Sequence, residues 1–362
     1  VPSSSGSPLD AEDLRTRIHK ALDDFLARQA EALEQVSPEC DQLLDAIADL
    51  LRGGKRLRPA FCYWGWRGAG GPDSEPIVHA AAAMELFQAA ALIHDDVMDG
   101  SDIRRGMPSV HRRFAARHAA AGWAGDGERF GLAGAVLTGD LCLAWSGELL
   151  AASGLPEDRL AAARMPFDRM RTELMAGQYL DMLEQAVAGT RTESAVDRAR
   201  QVIRYKSAKY TIEEPLQIGG TLAGADPGLL ATYSAYGLAL GEAFQLRDDI
   251  LGVFGDPSRT GKPAGDDLRE GKRTVLVAQT LRAADPARRA EVRQLLGRPD
   301  LDHTGVDTLR TIIRETGALA TVERLIDELV EQARAALQAG AVAEPACDVL
   351  DVLIDTVTDR TA

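Results

Sequence analysis

Ala80-Ala81-Ala82-Ala83-Met84-Glu85-Leu86-Phe87-Gln88-Ala89-Ala90-Ala91-Leu92-Ile93-His94-Asp95-Asp96-Val97-Met98-Asp99 decides how the rest of this chain is read. The run has the alanine and leucine content of a helix and almost no polar face. A helix of that kind, from about Pro76 to Asp99, is expected to be buried on most sides, so its acidic end opens into protein rather than bulk water. Asp95 and Asp99 are four residues apart and share a helix face, with Asp96 about 100° round from Asp95. Three carboxylates so placed repel one another and call for a cation. Oxygen-only ligands suit magnesium, which keeps some waters and bridges phosphate oxygens. The competing interpretation is a solvated helix end with ordinary surface acids.

Outward from this segment the helical signal continues. The chain has 362 residues, 45% hydrophobic, and only 5% aromatic. Ala- and Leu-rich segments dominate and strand-like runs are scarce, which predicts an all-α fold. Residues 1–9 are expected to be a disordered or non-native end, lacking the basic and apolar sections of a signal peptide, and residues 10–362 a single helical domain. Asp10 and Asp13 are candidate caps for a helix carrying Leu14, Ile18, Leu22, Phe25 and Leu26. Further helices are expected at 40–51, 108–121, 131–152, 157–187, 193–222, 228–254, 271–283, 287–297, 303–315 and 317–338, with a short one after Pro345. An exposed loop is expected at 122–131. No run approaches eighteen continuous apolar residues, so no integral membrane segment is expected. The formal net charge of −14, with Lys and Arg dispersed, argues against a nucleic-acid interface. Cys40, Cys62, Cys142 and Cys347 have neither metal-knuckle nor redox-pair spacing, consistent with reduced thiols in a cytoplasmic protein.

A second acidic segment, Gly241-Glu242-Ala243-Phe244-Gln245-Leu246-Arg247-Asp248-Asp249-Ile250-Leu251-Gly252, lies about 150 residues after the first. Two such clusters facing one cavity are able to clamp metal ions around a diphosphate and stabilise charge as it leaves carbon. Basic residues supply the complement: Lys55 and Arg58 in Gly53-Gly54-Lys55-Arg56-Leu57-Arg58-Pro59, and Arg104-Arg105-Gly106 shortly after the first aspartates. Arg grips phosphate through a planar fork and Lys as a point charge, though surface salt bridges are the plainer explanation of either group alone. Lys206, Lys209, Gly261-Lys262-Pro263, Asp266-Asp267 and Gly271-Lys272-Arg273-Thr274 add further charged loops, without the spacing of a nucleotide phosphate loop.

Taken together these segments resemble the trans-isoprenyl diphosphate synthases, or polyprenyl synthetases. The resemblance runs in order from about residue 15 to 340 and rests on Asp95-Asp96-Val97-Met98-Asp99 with Arg104-Arg105-Gly106, on Phe244-Gln245-Leu246-Arg247-Asp248-Asp249, and on the 53–59 segment. It implies an isoprenoid synthase-type helical bundle around a central cavity, acting as a homodimer, and the head-to-tail elongation of an allylic diphosphate by isopentenyl diphosphate. It further implies that Asp95, Asp96, Asp99 and Asp248 hold magnesium, with Asp249 assisting through waters and three ions present when the allylic diphosphate is bound. Arg104, Lys206 and Lys262 would contact the leaving group, while Lys55, Arg58, Arg105 and Gln88 position isopentenyl diphosphate. Gln178 and Asp181 would line the cavity, Ser207 stands where the family usually has threonine, and Gln245 would support the developing cation.

The chain departs from the family at Gly252, where the second motif often ends in a third aspartate. Asp266, or less well Asp256, is the expected substitute. Chain length is expected to depend on what lies below Asp95. Ala91 and Ala90 leave room, and Phe87, about 12 Å down by helix rise, is either a floor or ordinary core. The absence of a bulky residue five before the aspartates, of a two-residue insertion in the first motif, and the actinobacterial look of Phe61-Cys62-Tyr63-Trp64-Gly65-Trp66 favour the C20 product, geranylgeranyl diphosphate. Farnesyl and longer-chain products, a class I terpene cyclase and a noncatalytic synthase subunit are the alternatives. Asp248-Asp249 is unlike the cyclase metal motif, and the retained metal and phosphate residues are unlike those of an inactive subunit.

Overall fold

The computed structural model describes residues 12–187, 194–255, 265–298 and 300–358. The helix at the centre of the sequence argument forms as α4 (Glu75–Asp99), with Pro76 in its first turn, where a missing N–H costs nothing. It stops at Gly100, whose left-handed φ of 66° lets its N–H turn back to the Asp96 carbonyl. Before it come α1 (Leu14–Val36), α2 (Asp41–Arg52) and α3 (Leu57–Gly68). After it a two-stranded hairpin, β1 (Ile103–Arg104) and β2 (Met107–Pro108), leads to α5 (Val110–Ala121), α6 (Gly127–Ala151) and α7 (Glu157–Ala186). Then follow α8 (Ala195–Val202), a π-helical segment (Ile203–Glu213), α9 (Glu214–Ala223) and α10 (Pro227–Phe254). The remaining helices are α11 (Asp266–Glu270), α12 (Val275–Ala283), α13 (Pro286–Leu295), α14 (His303–Glu315), α15 (Ala318–Ala339) and α16 (Ala346–Thr358). The all-α expectation holds, with one short hairpin added.

The helices form two compact units, residues 1–163 with 218–224, and residues 164–217 with 225–362. In the first, α4 packs on α6, α3 and α1. Glycines of α6 make close approaches possible: a Cβ on Gly139 would lie 2.2 Å from His94 Nε2 of α4, and one on Gly131 would lie 2.3 Å from the His111 carbonyl of α5. In the second unit α10 is the central helix, packed on α15, the π segment and α16, and its buried Tyr236 donates to the Leu350 carbonyl at 2.7 Å.

Several boundaries differ from the sequence expectation. Asp13 does occupy the first N-cap, but at φ 55° and without a capping hydrogen bond; the neighbouring Glu12 carboxylate, paired with Tyr63 and Arg67, anchors this end instead. Asp10, like Asp256 and Lys262, lies outside the described residues. The expected 122–131 loop is shorter, because Asp126 caps α6 through the Glu128 and Arg129 N–H groups and starts the helix at Gly127. The helix expected from 271 begins only at Val275, since Gly271 at φ 76° ends α11 and Thr274 caps α12. Finally, α4 and α6 are both long and apolar enough to cross a membrane, a property missed by counting only uninterrupted apolar residues. Burial separates them: α4 is largely enclosed by protein, whereas α6 leaves Leu132, Val136 and Leu137 exposed.

Candidate active site

In the first unit the carboxylates of α4 have a cation folded onto them. Arg105 (φ 55°) and Gly106 (φ 75°) are both left-handed and form the two-residue turn between β1 and β2, a geometry that reverses the chain tightly. The reversal brings Arg104 back to the helix end, where its Nε donates to Asp96 Oδ1 at 2.9 Å and its second nitrogen reaches Asp95 Oδ2 at 3.5 Å. Asp96 is only 2% exposed. Burial opposes the charge on Arg104, but the Asp96 hydrogen bond and the charges of Asp96, Asp95 and Asp99 outweigh it and hold the guanidinium more firmly protonated.

The glycine-rich segment beside it is built around two arginines. Arg56, at φ 58°, turns inward and forms a buried ion pair with Glu85 of α4, while its other nitrogen donates to the Leu51 carbonyl. Arg105 donates to the Leu50 and Gly53 carbonyls. Gly53 and Gly54 admit its guanidinium, since a Cβ on either would come within 3.2 or 3.0 Å of it. Burial lowers the Arg105 pKa; Glu85 counters this, while Arg56, Arg104 and Arg58 push it lower still. Those four arginines therefore share a cationic neighbourhood, with Lys55 exposed and Arg58 half-buried at its edge. On α4, Gln88 is half-buried, and its shielded amide oxygen has no hydrogen-bond partner. Amide orientation is assigned from the surrounding network, so Gln88 offers either polar end to a ligand. Phe87 and Ala90 are buried and Ala91 is partly exposed.

In the second unit the π segment sets the geometry. Glycines at three contacts let its wide backbone lean on two helices: a Cβ would lie 2.5 Å from Lys206 N at Gly177 of α7, 2.5 Å from Ala208 Cα at Gly241 of α10, and 2.6 Å from Glu213 Cα at Gly237 of α10. Such π insertions re-aim side chains, often at functional sites. Lys206 is aimed at Asp181 of α7, 2.6 Å away, and Ser207 donates to the Gln245 amide oxygen. Gln245 in turn donates to Asp249 Oδ1 at 2.8 Å. Gln178 is half-buried on the same helix as Asp181. Lys209, by contrast, is committed to Glu173, Glu213 and Glu214.

Asp248 is exposed and Asp249 is 6% exposed. Burial drives the Asp249 pKa up to about 8; Gln245 opposes this, the neighbouring Asp267 and Asp248 charges add to it, and Lys272 opposes it. Asp267 lies against the position of the missing third aspartate. Its Oδ2 lies 1.9 Å from where a Cβ at position 252 would be, so only glycine there allows this carboxylate to approach α10. The sequence signal was present in the adjacent pair Asp266-Asp267, of which Asp267 lies against Gly252.

Among the described residues no three acidic, histidine or cysteine side chains are already gathered around a metal-sized point. Each motif instead supplies carboxylates that an ion bridged by phosphate oxygens would complete, the usual arrangement for magnesium. The acid surplus around Asp249 fits a divalent cation. The paired arginines Arg56 and Arg105 were not distinguished by sequence alone: Arg56 supports the fold, and Arg105 both supports the 50–53 turn and contributes positive charge.

The polyprenyl synthetase family profile matches residues 40–313. The chain is 32% identical over 326 residues to a geranylfarnesyl diphosphate synthase of Aeropyrum pernix, covering 88% of this chain and 95% of that protein. It is 34% identical over 265 residues to a geranylgeranyl diphosphate synthase of Sulfolobus acidocaldarius, covering 72% and 74%. Its fold is similar to the crystal structure of a Corynebacterium glutamicum geranylgeranyl pyrophosphate synthase complexed with isoprenyl diphosphate and magnesium, with TM-score 0.91, 38% identity, and coverage of 96% of this chain and 99% of that one. On the continuous match across both acidic motifs, the chain belongs to the polyprenyl synthetase family.

Proposed function

We propose that this chain makes geranylgeranyl diphosphate by adding isopentenyl diphosphate to shorter allylic diphosphates. The coarser statement follows from its family: it is a magnesium-dependent prenyltransferase that condenses prenyl units head to tail. The observation that carries our assignment of the site is the contrast in charge. Carboxylates of Asp248 and Asp267 surround the buried Asp249, and arginines gather at Gly53–Arg58 and Arg104–Arg105.

In this reading residues 10–362 work as one catalytic domain, and Asp95, Asp96, Asp99, Asp248 and Asp249, with Asp267 in place of a third second-motif aspartate, hold magnesium around one allylic diphosphate. Three ions are expected. Bound magnesium offsets the diphosphate charge and so favours its departure. Arg104, Lys206 and Lys262 grip the same group, and Arg104 exchanges carboxylate for phosphate oxygens as it does so. Lys55, Arg58, Arg105 and Gln88 orient isopentenyl diphosphate. Breaking the C–O bond leaves an allylic cation, which the Gln245 amide oxygen, held by Ser207, stabilises. The isopentenyl double bond attacks that cation, and the proton then lost passes to the departing diphosphate. No protein nucleophile takes part.

Phe87, eight residues before Asp95 and 2% exposed, is the proposed floor for a C20 chain, with Ala90 and Ala91 leaving the space above it open. The A. pernix relative, a geranylfarnesyl diphosphate synthase, favours a longer product as the second reading. A homodimer in the cytoplasm is proposed; the exposed apolar residues Leu132, Val136 and Leu137 of α6 support a face that a second copy would cover. The test is incubation with magnesium, isopentenyl diphosphate and each allylic primer, with dephosphorylated products resolved by length. A C20 product that lengthens in Phe87→Ala is expected. A C30 product from the wild type would remove the floor assignment, and no condensation with any primer would remove the assigned reaction.

A further inference from the structure

A cavity of about 870 Å³ in the second unit is lined by residues that belong to neither acidic motif nor the 53–58 segment. Arg273, Arg282, Arg289 and Arg293 line it, together with a wall containing Val277 and Leu281 of α12. Among the described residues the carboxylates in the lining are Glu184 and Asp197, and Glu184 is already held by Arg198 through both oxygens at 2.9 Å. Among the described lining residues, five arginines against two carboxylates make a local positive surplus in a chain whose net charge is −14.

The arginines differ in what holds them. Arg289 donates to the Leu281 and Ala284 carbonyls, both at 2.9 Å, which fixes its guanidinium at the end of α12 without neutralising it. Arg273 has a shielded Nε with no hydrogen-bond partner. Its pKa is lowered by burial and then by the charge of Arg293. A shielded donor left unmade, facing a like charge, is costly unless an anion completes it.

We propose that this cavity binds an amphiphilic phosphate ester. The forked donors of Arg273, Arg282 and Arg293 take the phosphoryl oxygens, and the Val277–Leu281 wall takes the apolar portion. The volume is within the usual range for small-molecule sites and exceeds what a bare phosphate fills. This assignment does not depend on the reaction proposed above.

Calorimetric titration of the metal-stripped full-length protein with geranyl monophosphate tests it. Binding is expected to weaken with salt and to be stronger than that of inorganic phosphate by about ten-fold, as an apolar wall requires. Arg282 and Arg293 are exposed, so the Arg282→Gln/Arg293→Gln variant should retain its fold, checked by melting temperature, and lose about ten-fold or more in affinity. Should that pair unfold the protein, Arg282→Glu alone is expected to give the same loss. Lys206→Gln, a change at the allylic site proposed above, is expected to keep the binding. Unchanged affinity in the cavity variants, or its loss in Lys206→Gln, would overturn the proposal. Equal binding of inorganic phosphate would overturn the apolar part of it.

Discussion

At the end of α4, Asp96 is buried against the Arg104 guanidinium; near the end of α10, Asp249 is buried against Gln245 with Asp248 and Asp267 close by. The residue types are alike and the electrostatic solutions are opposite. The first motif carries its own counter-ion, so a metal arriving there competes with Arg104 for the carboxylates, and a diphosphate competes with the carboxylates for Arg104. The second has a proton on Asp249 and Lys272 beside Asp267, 3.3 Å away, so a cation arriving at Asp249 competes with that proton. One acidic helix end therefore holds its buried carboxylate against an arginine, and the other holds its buried carboxylate protonated.

The comparison breaks first on activity. Asp95→Ala and Asp248→Ala are each expected to lower condensation by about a thousand-fold or more, with helicity preserved, because each removes a carboxylate from the charge-compensating set. Incorporation of labelled isopentenyl diphosphate measures this, and near-normal turnover in either variant would mean that its motif is dispensable. Stability separates the motifs next. Arg104→Gln strands the buried Asp96 charge and should cost about 3–5 kcal/mol in denaturant unfolding of the metal-free protein. A loss below about 1 kcal/mol, the value of an exposed pair, would deny Arg104 the counter-ion role.

A smaller effect is expected at Gly252. In Gly252→Ala the new Cβ meets the Asp267 carboxylate at 1.9 Å and must displace it. The magnesium concentration for half-maximal activity should rise by about ten-fold, as for a perturbed metal-supporting residue; no change would show that Asp267 plays no part. The smallest effect is on pH dependence in metal-stripped protein. The Asp249 pKa is raised from 3.8 to about 8 on folding. Between those values the folded state holds a proton that the unfolded state has lost, so stability falls as pH rises from about 4 to 8. Asp249→Asn should flatten that slope and raise the melting temperature above pH 8. An unchanged slope would place the titration elsewhere.

The fold was legible because its evidence is local. Nearly continuous alanine and leucine around residues 80–93, and glycine or proline at the helix ends, gave α4 and most of its neighbours. The site was legible as residue types, but their partners were not, since these depend on long-range approach. Nothing local in Arg56 shows that it meets Glu85, 29 residues away, within the protein. Position 252 looked like a loss of a ligand because a missing Cβ is visible in sequence, whereas the carboxylate that enters the gap comes from a different helix. The π segment was equally hidden: its residues suit an α-helix, and the three glycines that admit it lie on two other helices.

The most direct test of the central claim, that both acidic helix ends serve one magnesium-bound diphosphate, is the affinity for an unreactive allylic thiolodiphosphate with and without magnesium. It would be measured in the wild type, Asp95→Ala and Asp248→Ala. The account predicts strong magnesium-dependent binding in the wild type and loss of most of that dependence in each single variant. Full magnesium-dependent affinity surviving in either variant would contradict it.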